Sequence, residues 1–530
     1  MTKILDYYHV KKNKEFMPFK IQNINFQFNN YKEMISFGLN SLDYFLVPVG
    51  VVEKESKKEI YPTKILQTLN EQFSIFDLFT KESFTAEKDT KFLLPNLKIS
   101  TFVFFGVGAL DKEKNLELSL SKSLYSTLKT ITKKSIKNIG LEIFSLLELY
   151  EVHHKKLNMK SLLTNLLISF SDYTYHSLEA KEVNKEIENL YILSEQEIPE
   201  EIVRFSKSVI TARSSTMDLV NIPANTKTTN TLVNKAKLLE NLGLKVTVIE
   251  DIEWIRKNMP CFYIVSKGSL SSDPPKWIKV EYLPSTEIKQ KIALIGKSVI
   301  FDTGGYQIKP DDFMNTMKAD MTGGATILSI VEEIKKLNLP YLQITAYCPA
   351  TPNKIDSDAM LPDSIVESAS GKKIEIRHTD AEGRLTLIDA LTLAEKDKND
   401  LFIVIATLTG AAARAVGPRI ALMSTINSIR QEFEKSCLEI NEPYQSLEVE
   451  EDDFEDIKSK LDGADITNIG SEKYRGAQTA AAFVFSGLSS LDKPVLHLDI
   501  AGGDMTKEEK ATGITIKGIL NFLWNLSKKY

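Results

Sequence analysis

Apolar runs of strand length stand at Tyr44–Val52 (YFLVPVGVV) and Ile99–Val107 (ISTFVFFGV), with a helix-like stretch, Ser161–Phe170, among them. Such runs, rich in β-branched and aromatic residues, predict buried strands. Glu195–Glu201, with Pro199, reads as a linker and places a domain boundary near residue 200. Beyond it strand and helix alternate. Lys291–Ile300 (KIALIGKSVI) predicts one buried strand. Ala325–Leu337 carries Ile327, Ile330, Val331 and Ile334 at helical spacing. Leu342–Cys348 reads as a strand, Leu385–Glu395 as a helix, Leu401–Leu408 (LFIVIATL) as a strand and Val495–Ile500 (VLHLDI) as a late strand. This alternation predicts an α/β fold: a mainly parallel or mixed sheet flanked by helices over residues 201–530, preceded by a smaller α/β domain over residues 1–200. Ligands of such sheets bind beyond the carboxyl ends of the strands.

Charged chemistry gathers at those ends in three segments: Gly296–Pro310 (GKSVIFDTGGYQIKP), Met317–Gly324 (MKADMTGG) and His378–Leu385 (HTDAEGRL). Together they offer Asp302, Asp320, Asp380 and Glu382, with Lys297, Lys309 and Arg384. Buried charges need partners. In an extended segment Asp380 and Glu382 would point the same way, and carboxylates aimed at one spot repel unless a divalent cation lies between them. A ligand set rich in oxygen suits zinc, manganese, cobalt or magnesium. Each feature has a plainer reading. The Gly304-Gly305 and Gly323-Gly324 pairs also suit turns, and Gly323-Gly324 opening a helix also suits a phosphate, although no G-x-x-x-x-G-K-[ST] pattern occurs. The two lysines also suit solvated surface, and Arg384 a simple ion pair.

Composition narrows the classes. The 530 residues are 43% hydrophobic and 26% charged, as in a soluble globular protein of two or three domains. A net charge of -5 gives no reason to expect nucleic acid or an anionic membrane as partner. No arginine precedes Arg204. Cys261, Cys348 and Cys437 are widely spaced, which fits a reducing compartment. No apolar run is long enough to cross a bilayer. The opening MTKILDYYHVKKNKEF has neither the apolar core of a secretory signal nor the acid-poor character of a transit peptide. The cytoplasm is the expected location. Glu448–Asp456 (EVEEDDFED) is expected to be a solvated loop or a helix start.

As a set, the motifs from about Ser206 to Leu523 resemble the leucyl aminopeptidase family of cytosolic metallopeptidases. Thr379–Leu385 (TDAEGRL) matches its signature; Gly296–Pro310, Met317–Ala325 (MKADMTGGA), Asp218–Asn225, Ala406–Ala411, Gln478–Phe483 and His497–Gly502 match supporting segments. Residues 1–200 resemble the family's variable N-terminal domain only loosely. The resemblance implies a metalloexopeptidase that removes N-terminal residues from peptides and holds two divalent ions, zinc or manganese. Lys297, Asp302, Asp320 and Glu382 would ligate one ion, and Asp302, Asp380 and Glu382 the other, with Asp302 and Glu382 bridging. Two such ions roughly 3.5–4 Å apart can share a water and lower its pKa toward neutrality, giving the attacking hydroxide. Lys309 would stabilise the tetrahedral intermediate, and Arg384 would hold a bicarbonate ion acting as general base. Met317, Thr407, Leu408 and Gly410 would lie near the pocket for the substrate's first side chain, suggesting an apolar, leucine-like preference. A homohexamer is also implied.

Several positions depart from the family pattern. His378 stands where most relatives have Asn, either as a tolerated substitution or as a residue that adds a ligand or shifts the pH optimum. Tyr306-Gln307 replaces smaller residues and is expected to narrow the cleft. Met259-Pro260-Cys261 and Asp363 are further departures. The competing expectation is a silent relative that keeps the fold and hexamer as a structural or binding protein. Such a relative is expected to have replaced one of Lys297, Asp302, Asp320, Asp380 or Glu382, and all five are present.

Overall fold

The computed structural model describes residues 20–28, 36, 42–54, 57–88, 90–95, 101–108, 116–128, 135–152, 158–170, 186–194 and 197–530. The opening segment through residue 16, residues 99–100 of one expected strand and residues 195–196 of the expected linker lie outside them. Two compact units divide at Thr211/Ala212. The division falls inside a 22-residue helix, Glu200–Asn221, so the last two residues of the expected linker are helical. Pro199 sits just ahead of that helix, where a missing N–H is tolerated, and Glu200 and Glu201 face the positive end of its dipole.

Among the described residues the first unit holds one sheet of seven strands: β1 (Lys20–Phe28), β2 (Tyr44–Lys54), β3 (Lys57–Ile60), β4 (Lys91–Pro95), β5 (Thr101–Gly108), β6 (Ser135–Glu142) and β7 (Glu186–Ser194), in the order β1-β7-β6-β2-β5-β4 with β3 against β2. Helices α1 (Lys64–Phe73), α2 (Ile75–Lys81), α3 (Leu116–Leu128), α4 (Phe144–Val152) and α5 (Met159–Ser169) cover it. The continuous apolar run of β2 follows from burial on both faces. Leu46 joins a cluster with Leu120, Leu124, Leu163 and Leu166, whereas Phe45, Val47 and Val49 join one with Ile65, Leu69 and Phe79.

Glu142, at the end of β6, is fully buried, and its Oε2 accepts the Ser145 N–H at 3.0 Å near the start of α4. Burial outweighs the local hydrogen bonds and pushes its pKa up to about 7. A carboxyl that titrates higher in the folded chain than in the unfolded one loses stability as pH rises between those two values. The window here runs from about 4.5 to about 7, and the loss is at most ~3 kcal/mol. Glu142→Gln is therefore expected to gain in unfolding midpoint over wild type from pH 5 to pH 8 in thermal scans of the full chain. A pH-independent difference would contradict this account.

The second unit is built on a nine-stranded mixed sheet. Glu200–Asn221 (α6) leads into α7 (Thr229–Glu240), β8 (Lys245–Ile249), α8 (Ile252–Asn258), α9 (Pro260–Ser266), β9 (Lys276–Tyr282), β10 (Gln290–Gly296), β11 (Ser298–Asp302), α10 (Thr322–Leu337) and β12 (Leu342–Asn353). The antiparallel pair β13 (Ser364–Glu367) and β14 (Lys373–Ile376) precedes α11 (Gly383–Lys396), β15 (Leu401–Ala406), α12 (Gly410–Val416), β16 (Ile420–Ser424), α13 (Asn427–Ile440), β17 (Tyr444–Ser446), α14 (Glu451–Asp456), β18 (Ile466–Thr467), α15 (Gly476–Phe485), β19 (Val495–Asp499) and α16 (Ile516–Ser527). The sheet order is β17-β16-β19-β15-β10-β12-β9-β8, with β11 against β12. The four strands β19, β15, β10 and β12 run parallel. Antiparallel β16 and β9 flank them, which makes the sheet mixed. Among the described residues no helix is long and apolar enough to cross a membrane. The acidic run becomes the start of α14, but Asp453 within it is buried, held by Arg475 Nε at 2.7 Å.

The single strand expected over Lys291–Ile300 is two strands broken at Lys297. The N-terminus of α10 packs onto the break. Gly324 N–H donates to Lys297 O at 2.8 Å, and Lys297 N–H donates to Ile405 O at 2.9 Å. A Cβ on Gly323 would lie 2.1 Å from Ile405 O and 2.7 Å from Lys297 N. The Gly323-Gly324 pair thus serves close helix–sheet contact, and the space a phosphate would need at this helix start is filled by backbone.

Candidate metal centre

Each charged side chain reaches the site because a strand or turn ends there. Asp302 closes β11 opposite Asn353, the last residue of β12. Its Oδ1 accepts from Gly304 N–H at 2.9 Å and from Asn353 Nδ2 at 2.8 Å, which leaves Oδ2 for Lys309 Nζ at 2.7 Å. The break after β10 turns Lys297 inward: Nζ lies 2.7 Å from Asp320 Oδ1, 3.0 Å from Glu382 Oε1 and 3.0 Å from Thr407 O. Gly383 makes room for it, since a Cβ there would lie 2.4 Å from Lys297 Cε. Asp320 follows the turn Met317–Ala319, and its Oδ1 also accepts from Thr407 Oγ1 at 2.9 Å.

The expected extended arrangement of Asp380 and Glu382 is not what forms. The chain turns, with Ala381 N–H donating to His378 O at 3.1 Å, and Glu382 adopts helical angles as the residue ahead of α11. The two carboxylates therefore do different things. Glu382 is buried with Asp302 and Asp320, the three presenting carboxylate oxygens within 4.8 Å of one another. Asp380 is more open and pairs with Lys309.

This cluster is crowded with negative charge. Burial, reinforced by Glu382 and Asp302, holds the Asp320 carboxyl well above the usual range despite Lys297. Burial, then Asp302 and Glu382, push Asp380 up to about 7. Burial alone would lower the pKa of Lys297, but Asp320, Glu382 and Asp302 outweigh it and raise it. Asp320 Oδ2 is buried without a hydrogen-bond partner. Four carboxylates against two ammonium groups, with one Asp320 oxygen buried and unpartnered, fit a hard divalent cation. Among the described residues no histidine or cysteine joins the group.

Arg384, the second residue of α11, is buried with Nε and Nη1 unpartnered. Burial lowers its pKa to about 10 against the pull of Glu382, Asp499 and Asp380. His378 turns its Nδ1 to the Asp380 N–H at 3.2 Å and stays outside the carboxylate group. Burial, then Arg384 and Lys309, lower its pKa. The tyrosine of Tyr306-Gln307 is largely exposed, its hydroxyl donating to Asp356 O at 2.9 Å. The glutamine braces the turn, accepting from Thr379 N–H at 2.6 Å and donating to Arg377 O at 3.1 Å. Of the expected pocket residues, Thr407 touches Asp320, Leu408 donates its N–H to Asp499 Oδ1 at 3.1 Å, Gly410 opens α12, and Met317 opens the turn before Asp320.

Two asparagines carry unexpected weight. Asn353 Nδ2 bridges Asp302 Oδ1 and Thr379 O, and Asn468 Nδ2 holds His378 O at 2.7 Å while its Oδ1 accepts from Arg377 N–H at 2.8 Å. Neither sits in a charged motif, and only its place at a strand end or loop beside one marks it.

Residues 214–520 match the model of the "Cytosol aminopeptidase family, catalytic domain". The chain is 32% identical over 456 residues to a probable cytosol aminopeptidase of Aquifex aeolicus (strain VF5), covering 84% of this chain and 89% of that one. Its fold is similar to that of a tomato leucine aminopeptidase mutant, with a TM-score of 0.80 at 23% identity, covering 95% of this chain and 96% of the other. It is also similar to the bottromycin maturation enzyme BotP in complex with Mn, with a TM-score of 0.74 at 21% identity over 92% of this chain and 100% of that one. The chain belongs to the cytosol aminopeptidase family, and its second unit carries the catalytic domain of these metalloexopeptidases.

Proposed function

We propose that the protein hydrolyses the first peptide bond of peptides with a free N-terminus, using two divalent cations, zinc or manganese, in each subunit. The observation that carries this reading is the convergence of the Asp302, Asp320 and Glu382 carboxylates, with one Asp320 oxygen buried and unpartnered, flanked by Lys297 and Lys309. Lys297, as the neutral amine left once the cations displace its proton, would hold one ion together with Asp302, Asp320 and Glu382, and Asp302, Asp380 and Glu382 would hold the other. The ions, when bound, supply Lewis-acid polarisation and a lowered water pKa. Lys309 donates to the carbonyl oxygen of the substrate as charge develops there, in a site dry enough for the contact to count. Arg384, with two unpartnered nitrogens, would hold bicarbonate as a planar anion that supplies a general base. Asn353, Thr407 and Gln307 fix the carboxylates and the Thr379–Asp380 turn, so that little reorganisation remains at the moment of reaction. Met317, Thr407, Leu408 and Gly410 would border the pocket for an apolar, leucine-like first residue. The family resemblance extends the proposal to a cytoplasmic homohexamer.

The test is hydrolysis of leucine p-nitroanilide by purified protein, metal-free and with added zinc, manganese or cobalt, in bicarbonate buffer, with light scattering for the mass of the assembly. Metal-dependent turnover, abolished by chelator and absent with an N-acetylated substrate, is expected from a particle of six chains. No turnover with metals demonstrably bound would leave the silent, structural reading in its place. A monomeric mass would remove the hexamer.

A further inference from the structure

Lys227 lies outside the carboxylate cluster, in the segment between α6 and α7, yet its side chain is almost wholly buried. Its Nζ donates to Val220 O at 2.7 Å and to Lys318 O at 2.6 Å, and lies 3.7 Å from Met321 Sδ. Val220 O is one of the last carbonyls of α6, which have no partner within the helix and favour a cation. Lys318 O belongs to the turn Met317–Ala319, directly ahead of Asp320. The backbone beside Lys227 is itself pinned: Thr229 Oγ1 donates to Asp273 Oδ1 at 2.7 Å and Thr229 N–H donates to the same oxygen at 3.1 Å. An ammonium held by two backbone carbonyls, and by no carboxylate among the described residues, is an expensive thing to bury. Burial, and then the charge of Lys318, lower its pKa to about 7.

We propose that Lys227 is a positioning residue, whose buried ammonium ties the Met317–Met321 turn to the end of α6 and so fixes the Asp320 carboxylate where the cation is to be bound. The proposal rests on the reading of Asp320 as a metal ligand. On the other side of the turn, Thr322 Oγ1 donates to Ala319 O at 2.6 Å. With Lys227 removed, the turn keeps that contact and the bonds of Thr407 and Lys297 to the Asp320 carboxylate itself, but its Lys318 carbonyl, like that of Val220, is left buried without the Lys227 donor. Lys227 also lines a cavity of about 280 Å³ with Asn225, Asp273 and Lys354, which offers a small amine a way to the vacated space.

Mn²⁺ binding to the full-length protein, by calorimetry, tests this in wild type, Lys227→Ala, Lys227→Met and Asp320→Asn, each with and without n-propylammonium. Turnover of leucine p-nitroanilide is followed alongside. Propylammonium supplies the three carbons and the charge that alanine lacks. Both Lys227 variants are expected to bind Mn²⁺ about tenfold or more weakly at one site, with kcat reduced and KM little changed. Propylammonium is expected to restore Lys227→Ala and to leave Lys227→Met, whose side chain fills the space, unaltered. Wild-type affinity in both Lys227 variants while Asp320→Asn loses binding overturns the proposal and leaves the reading of the site intact. A loss in Lys227→Ala that propylammonium does not touch overturns it too. Wild-type affinity in Asp320→Asn overturns the metal assignment, and the proposal with it.

Discussion

Glu382→Ala is expected to abolish hydrolysis and metal retention together. Glu382 is buried where its carboxylate oxygen faces those of Asp302 and Asp320, and Lys297 Nζ lies 3.0 Å from its Oε1. On the proposed assignment it touches both ions, so no single-site loss confines the damage. The variant also leaves Lys297 with Asp320 as its one remaining carboxylate partner among the described residues, and opens a void beside Gly383. Losing several kcal/mol of transition-state stabilisation means a fall of at least about a thousandfold in kcat/KM. The check is kcat/KM on leucine p-nitroanilide beside metal content after gel filtration, with Glu382→Gln as the variant of equal volume. Both should lose metal. Full activity in Glu382→Ala would show the two-metal assignment to be wrong.

The sheet was legible because its strands are buried on both faces, and such strands read as unbroken apolar runs. The runs in β2, β10, β15 and β19 stand out whatever surrounds them. The same property hid the break at Lys297. The run Lys291–Ile300 continues through the lysine, and only the α10 N-terminus pressing Gly323 and Gly324 against Lys297 and Ile405 forces the strand to stop there. That contact joins residues far apart in sequence, so no local pattern announces it. Asp380 and Glu382 show the converse failure. Their alternation is real, but the chain between them turns into a helix start, so the spacing says nothing about a shared direction.

The charged members of the site were named from motifs, and the structure brings Lys297, Asp302, Asp320, Glu382 and Lys309 together. The groups that orient them stand outside those motifs or carry no charge within them. Asn353 and Asn468 act through side-chain amides on backbone carbonyls, and an amide at a strand end carries no charge pattern to betray it. Tyr306-Gln307 stands out in the sequence for its bulk, whereas the three hydrogen bonds of Gln307 to Arg377 and Thr379, which brace the turn that carries Asp380, leave no mark there. His378 stands outside the carboxylate group. Its ring caps the Asp380 N–H, which local hydrogen bonding by an Asn side chain would also achieve.

Lys309→Ala is expected to separate chemistry from metal binding. The two lysines of the site differ in position: the Lys297 side chain is 4% exposed and held by Asp320 and Glu382, whereas Lys309 is 13% exposed and paired with Asp302 and Asp380 on the more open side. Burial would lower the pKa of Lys309, but Asp302, Glu382 and Asp380 outweigh it and raise it, so the carboxylate cluster favours its ammonium form. A fixed cation beside the carboxylates, with a route to solvent, is placed to meet an oxyanion and is not required to hold an ion. Its removal is expected to lower kcat by about 10²–10³, with metal content unchanged and KM within a few-fold. Lys309→Arg keeps the charge on a bulkier, planar head and is expected to recover only part of the rate. Metal content measured on the same samples as kcat decides the matter. If Lys309→Ala loses its metal along with its activity, the lysine is a support of the carboxylate cluster, and the oxyanion contact must be sought elsewhere, with Arg384 as the next cation to examine.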